Sequence, residues 1–172
     1  IINYIITCQI ENSYVTKTYN VESEFTLENP EKKGYKFTLW TSDNEMLNKI
    51  VIKKGTTGNR TYKANFTPIK YYVVYDPNGG SGSSVREEFT YDKLQGLKKL
   101  FSKDKYTFVG WHIDKNAKNA LFAYKSGEEV AINLNDNDGD EIVLYEMWNK
   151  EIIDDYANKL LIGLTDEENQ MV

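Results

Sequence analysis

The 172-residue sequence predicts an α+β fold dominated by strands: two small modules in tandem, with a helix after them. Three observations carry that expectation. Aromatic residues make up 13% of the chain, with 13 Tyr, 7 Phe and 3 Trp, and aromatic and β-branched residues favour strands. Leu, Ile and Val fall at strand spacing almost everywhere before the last twenty residues. A block of residues also recurs. Residues 34–40 (GYKFTLW) align with 105–111 (KYTFVGW) at an offset of 71, and Tyr62, Ala64 and Phe66 align with Leu144, Glu146 and Trp148 at an offset of 82. The difference of 11 marks an insertion in the second module between residues 112 and 141.

The first module is predicted over residues 1–68. Tyr4, Ile6, Cys8 and Ile10 alternate with Ile5, Thr7 and Gln9, a period-two strand. Residues 14–21 (YVTKTYNV) form a second. Residues 28–34 are a turn punctuated by Pro30 and Gly34. Strands follow at 35–40, 47–53 and 60–66, the last two separated by the Gly55 and Gly58 turn. The second module, residues 69–150, repeats the plan. Residues 71–76 (YYVVYD) form a strand, Pro77-Asn78-Gly79-Gly80 a turn, and 85–91 the returning strand. Leu94, Leu97, Leu100 and Phe101 lie at helical spacing, which predicts a short helix. Strands at 106–113, 129–134 and 141–148 complete the module.

In residues 150–163 the period changes. Ile152, Ile153, Tyr156, Leu160 and Leu161 share one helical side, and Gly163 stands where a C-terminal cap would be. Residues 151–172 are therefore read as a helical tail or connector. The chain begins at Ile1 with no signal peptide and reads as a piece of a longer protein.

Composition excludes several functions. The net charge is −5, against the basic excess usual in nucleic-acid binders. No apolar run approaches the roughly 18 residues of a spanning helix, so no membrane insertion is expected of this segment. A single Cys rules out an internal disulfide or an all-Cys metal site, and a single His argues against a triad or a multi-histidine site. No cofactor and no catalytic residue are expected.

Individual candidates reduce mostly to structure. Asp136, Asp138 and Asp140 crowd oxygen ligands into one loop, but an EF-hand register with Gly139 at position 6 puts Leu134 at position 1 and Tyr145 at position 12. A solvated hairpin loop is the better reading, with a low-affinity calcium site as the rival. His112 lacks an evident acid and nucleophile. Cys8 sits on an apolar strand face and reads as a buried, inert thiol. Asp154, Asp155, Asp166, Glu167 and Glu168 read as solvated tail charge. Asn59-Arg60-Thr61 and Asn65-Phe66-Thr67 fit the glycosylation sequon. Gly79-Gly80-Ser81-Gly82 lacks the Lys of a phosphate loop and reads as a turn.

Alternation places Tyr106 and Phe108 on one face and Trp111 on the other. A bulge at Gly110 would bring Trp111 back to the Phe108 side. Leu39 replaces that glycine in the first module, so Trp40 is expected to point elsewhere.

The pattern Gly-Tyr-x-Phe-x-Gly-Trp, preceded by Asp-Pro-Asn-Gly-Gly and closed by Leu-Tyr-x-x-Trp, resembles the Listeria–Bacteroides repeat, the B-repeat module of internalin-type bacterial surface proteins. The matching residues are Asp76 to Gly80, Tyr106, Phe108, Gly110, Trp111 and Leu144 to Trp148 in the second module, and Gly34, Tyr35, Phe37, Trp40 and 58–66 in the first. The departures are Leu39 for Gly, Lys105 for the leading Gly, Phe66 for the closing Trp, and no Asp-Pro-Asn-Gly-Gly turn in the first module. The resemblance implies β-grasp-like modules on an extracellular, surface-displayed or secreted bacterial protein. It implies no catalytic residues. The expected role is a semi-rigid spacer that also offers adhesive contacts to a host or bacterial surface protein, or to a glycan. The alternative is a carbohydrate-binding module using exposed aromatics, for which Tyr71, Tyr72, Tyr91 and Tyr124 are the candidates.

Overall fold

The computed structural model describes residues 1–127, 129–151 and 160. The chain divides into two compact units. The first comprises residues 1–70 with the short pieces 90–92 and 136–138. The second comprises 71–89, 93–135 and the described residues from 139 onward.

The first unit contains β1 (Tyr4–Ile10), β2 (Ser13–Tyr19), β3 (Phe25–Thr26), β4 (Tyr35–Ser42), β5 (Glu45–Leu47), β6 (Val51–Ile52) and β7 (Arg60–Pro68). Five strands form one sheet in the order β2-β1-β7-β4-β5, and β3 pairs with β6 as a separate ribbon. β1 and β7 are parallel neighbours, with Ile6 opposite Arg60 and Gln9 opposite Lys63. Alternation on β1 buries Ile6 and Cys8, and they pack with Tyr19, Trp40, Ile50, Ile52, Tyr62 and Ala64 in one cluster. The β3–β6 ribbon belongs to that core, since Ile52 is inside the cluster and Phe25 packs against it.

The second unit contains β8 (Lys70–Asp76), β9 (Val85–Thr90), β10 (Gln95–Gly96), β11 (Tyr106–His112), β12 (Phe122–Ala123), β13 (Val130–Ala131) and β14 (Glu141–Lys150). Its sheet runs β12-β11-β14-β8-β9, with β10–β13 as the ribbon. That is the topology of the first unit strand for strand, including a parallel pair of first and last strands, β8 and β14.

The pairing registers locate the 11 extra residues. The offset between equivalent positions is 71 at Trp40/Trp111, 75 at their partners Leu47/Phe122, 79 at Ile52/Ala131, and 82 along β7/β14. The insertion is therefore spread over three connections, as four, four and three residues, rather than placed as one block.

The α+β class is corrected by the structure. Among the described residues the elements are fourteen strands, so the fold is all-β, and a β-grasp arrangement with its helical crossover is not shown. The helix predicted over 94–101 is instead extended chain with β10 inside it. Its backbone donors bond to distant acceptors: Leu97 N–H to the Glu129 carbonyl at 2.8 Å, Lys98 N–H to the Tyr75 hydroxyl at 3.3 Å and Leu100 N–H to Glu146 Oε1 at 3.1 Å. A helix would send those donors to carbonyls four residues earlier. Only Leu97 and Phe101 of the four spaced residues are buried, while Leu94 is 62% exposed, so the helical face has no core to meet. The helix predicted over 150–163 lies almost wholly outside the described residues.

One backbone position separates the two repeats. Gly34 and Lys105 stand at the same point, just ahead of β4 and β11, with φ of 77° and 63°. Glycine adopts that left-handed conformation freely, whereas a side chain is strained there. Lys105→Gly is expected to stabilise the second unit by about 1 kcal/mol, read as a higher denaturant midpoint at constant slope. An unchanged or lower midpoint would contradict the strain.

Candidate functional site

The motif residues form a core in both units. β4 and β7 pair with a register shift between Phe37 and Leu39, and β11 and β14 pair with the same shift between Phe108 and Gly110. This bulge sets Trp111 against Phe108, with ring centroids 5.0 Å apart and T-shaped, and Trp111 is fully buried. Phe108 also meets Trp148 at 5.7 Å and Tyr124 at 5.2 Å. Edge-to-face contacts of this kind add to the area that each ring buries.

The expectation that Trp40 points elsewhere is wrong. Trp40 is 1% exposed, 5.2 Å from Phe37 and 6.5 Å from Tyr62. The bulge forms at Leu39 without glycine, and Leu39 keeps a negative φ. Gly110 serves a different purpose. Its φ is 140°, and a Cβ there would lie 2.1 Å from the Phe122 carbonyl oxygen and 2.7 Å from Ala120 Cβ. Glycine is needed so that β12 can lie close against β11.

The Asp-Pro-Asn-Gly-Gly turn is held by side chains. The Asp76 carboxylate accepts the Asn78 N–H at 2.8 Å, Asn78 Nδ2 donates to the Glu146 carbonyl at 2.9 Å, and Trp148 Nε1 donates to the Pro77 carbonyl at 2.9 Å. A Cβ on Gly80 would meet Trp148 Cζ2 at 2.7 Å. The turn is thus a lid packed on the closing tryptophan, and its chemistry is structural.

The carbohydrate candidates are mostly enclosed. Tyr71 is fully buried, with its hydroxyl accepting the Leu134 N–H. Tyr72 is half-buried, with the Arg86 guanidinium 3.3 Å from its ring centre, and Arg86 pairs with Glu141 at 2.8 Å. Tyr91 is half-buried, and Tyr124 packs on Phe108 and Trp111. Among the described aromatic residues only Tyr14, on β2, is exposed, at 65%. Sequence reasoning passed over it. No local pattern marks it, because the place of β2 at the sheet edge is set by long-range pairing. The first unit also has an open polar groove of about 650 Å³ lined by Asp43, Glu45, Lys49, Asn59, Arg60 and Tyr62. It presents no open ring, since Tyr62 is 5% exposed.

Among the described residues, the remaining candidates do not converge on a reactive centre. Asp138 accepts from Lys36 Nζ at 3.1 Å and from the Lys70 N–H at 3.3 Å, and these contacts, the lysine first, hold its carboxyl below the usual range. Asp140 accepts from Asn135 Nδ2 at 3.1 Å. Among the described residues no three His, Cys, Asp or Glu side chains come together as metal ligands. His112 Nδ1 accepts the Asp114 N–H at 2.8 Å. Cys8 is buried, and burial pushes its thiol up, away from the reactive thiolate. The Asn59 side-chain oxygen accepts the Ile5 N–H, and Asn65 Nδ2 bridges the bulge to the Leu39 carbonyl at 3.2 Å. Asp154, Asp155, Asp166, Glu167 and Glu168 lie outside the described residues.

A buried carboxyl escaped the sequence reading. Glu146 on β14 is fully buried, although alignment with Ala64 already placed it at a core position.

Comparison with known proteins agrees with the repeat. No curated protein and no solved structure matches the chain. The Listeria-Bacteroides repeat domain matches residues 5–65 and again 71–135. Modules of this family are typically found in surface or secreted bacterial proteins. The second match stops before β14, which pairs with β11 as β7 pairs with β4. With two tandem matches over most of its length, each on a unit of the same topology, the chain belongs to the Listeria-Bacteroides repeat domain family.

Proposed function

We propose that these modules are a non-catalytic, tension-carrying spacer of an extracellular bacterial surface or secreted protein, with protein–protein contacts on their exposed surfaces. The observation that carries this reading is the strand order. In each unit the first and last long strands, β1 with β7 and β8 with β14, are parallel neighbours inside the sheet. Tension applied through the ends of a unit therefore pulls two hydrogen-bonded strands past one another along their length. Their ladder bonds share the load instead of opening one at a time. Only Ile69 separates β7 from β8, so there is no slack linker, in keeping with a semi-rigid spacer.

The residue chemistry agrees with a non-catalytic role. The lone His accepts the Asp114 N–H through Nδ1, and the lone Cys is buried. A carbohydrate-binding role would draw on ring faces open to solvent, and the motif aromatics pack on one another instead.

Single-molecule stretching of the chain tests the reading. Two separate unfolding events are expected, releasing roughly 200 Å and 250 Å at about 3.5 Å per residue. The second is longer because β8 to β14 spans more residues than β1 to β7. Extension without distinct force peaks would overturn it.

A further inference from the structure

We propose that Glu146 is a pH-responsive latch in the second unit: protonated, it lets the segment 97–101 close over the core, and ionised, it loosens that segment and destabilises this unit alone. Glu146 is the only fully buried charged side chain among the described residues. Its Oε1 accepts the Leu100 N–H at 3.1 Å, while Oε2 has no hydrogen-bond partner. The residue lies on β14 opposite Trp111, and Trp111 Nε1 in turn donates to the Lys98 carbonyl of the same segment. Carboxyl, indole and segment thus form one closed assembly. A bare anion with an orphan oxygen is costly in such a place, and the neutral acid much less so.

The surrounding charges do not neutralise it. On the covering segment, Lys99 is the cation whose field favours the ionised form, whereas Lys98 is paired with Glu87 of β9 at 2.6 Å. On β8, Asp76 is occupied by the Asn78 N–H, and Tyr75 is held neutral by burial, with the Glu87 charge adding to the effect. On β11, His112 Nδ1 is occupied by the Asp114 N–H. Burial pushes the Glu146 carboxyl up to about 7 from 4.5, against the opposing pull of the Leu100 and Phe101 amides and Lys99. The folded unit then keeps a proton that the unfolded chain gives up. The stabilisation is full below about 4.5, falls as pH rises towards about 7, and is flat above that. The first unit provides the internal control, because Ala64 occupies the equivalent place.

The test is amide exchange on the whole chain between pH 5 and pH 8, corrected for intrinsic exchange rates, with parallel denaturant unfolding. The unfolding constant of the second unit is expected to rise on the order of 10²-fold over that range. Protection at Leu100 and Phe101 should fall, with the first unit's amides unchanged. Glu146→Gln should remove the dependence, and Glu146→Ala, which copies the first unit, provides the same test should the glutamine variant fold poorly. A flat wild-type profile, or a dependence that survives both substitutions, would overturn the proposal.

Discussion

Trp111→Ala is expected to unfold the second unit and leave the first folded, and Trp40→Ala to do the reverse. Each indole is at most 1% exposed and anchors an aromatic cluster, with Phe108 and Tyr124 against the first and Phe37 and Tyr62 against the second. Truncating a buried Trp to Ala costs about 3–5 kcal/mol. A domain of this size has total stability on the order of 4–12 kcal/mol, so one substitution removes much of it. Trp111 also loses its bond to the Lys98 carbonyl, whereas Trp40 Nε1 is buried without a partner and has none to lose. Trp111→Ala should therefore be the more damaging of the two. Residue-resolved NMR distinguishes the outcomes, since half of the dispersed amide signals should survive in each variant. Loss of all dispersion from one substitution would show that the units do not fold separately.

Gly110→Ala should cost about 3 kcal/mol or more and release β12. Two penalties combine. A side chain at φ 140° is strained, and its Cβ would overlap the Phe122 carbonyl oxygen at 2.1 Å, an atom fixed in the backbone of the paired strand. Leu39→Ala at the equivalent bulge should cost only about 1 kcal/mol, because Leu39 is half-buried and already carries a Cβ in an ordinary conformation. Denaturant unfolding of both variants gives the comparison. Equal losses would mean that the two bulges impose the same demand, contrary to the geometry.

The long strands of both sheets were legible because alternation is a local property, whereas the short edge strands β5 and β12 were not. Ile6 and Cys8, like Tyr71, Val73 and Tyr75, sit two residues apart and are buried together. The bulge at Gly110 was legible for a related reason: strict alternation put two large aromatics on opposite faces, and only an extra residue could reunite them. Its counterpart at Leu39 was missed because glycine was taken as the requirement for the bulge. Glycine is instead the requirement for the approach of β12, which no local pattern reveals. In the short ribbons, β6 and β13 fall inside the strands predicted at 47–53 and 129–134, but their partners β3 and β10 were missed. Two paired residues per strand leave no periodicity to read, and they are held by partners far along the chain. The segment 94–101 failed in the opposite way, since its helical spacing was present but its donors found the Glu129 carbonyl, Tyr75 and Glu146 instead.

Sequence alone determined that this protein is two copies of one aromatic-rich strand plan, because repetition and period two survive in the order of residues. The tertiary structure decided the class, all-β rather than α+β, the distribution of the insertion over three connections, and the enclosure of Tyr71, Tyr72 and Tyr124. It also decided that Glu146, where the first copy has Ala64, is a carboxyl sealed in a core. These are properties of contacts between residues distant in sequence. The energy of a donor, a ring or a charge there depends on what long-range pairing brings beside it.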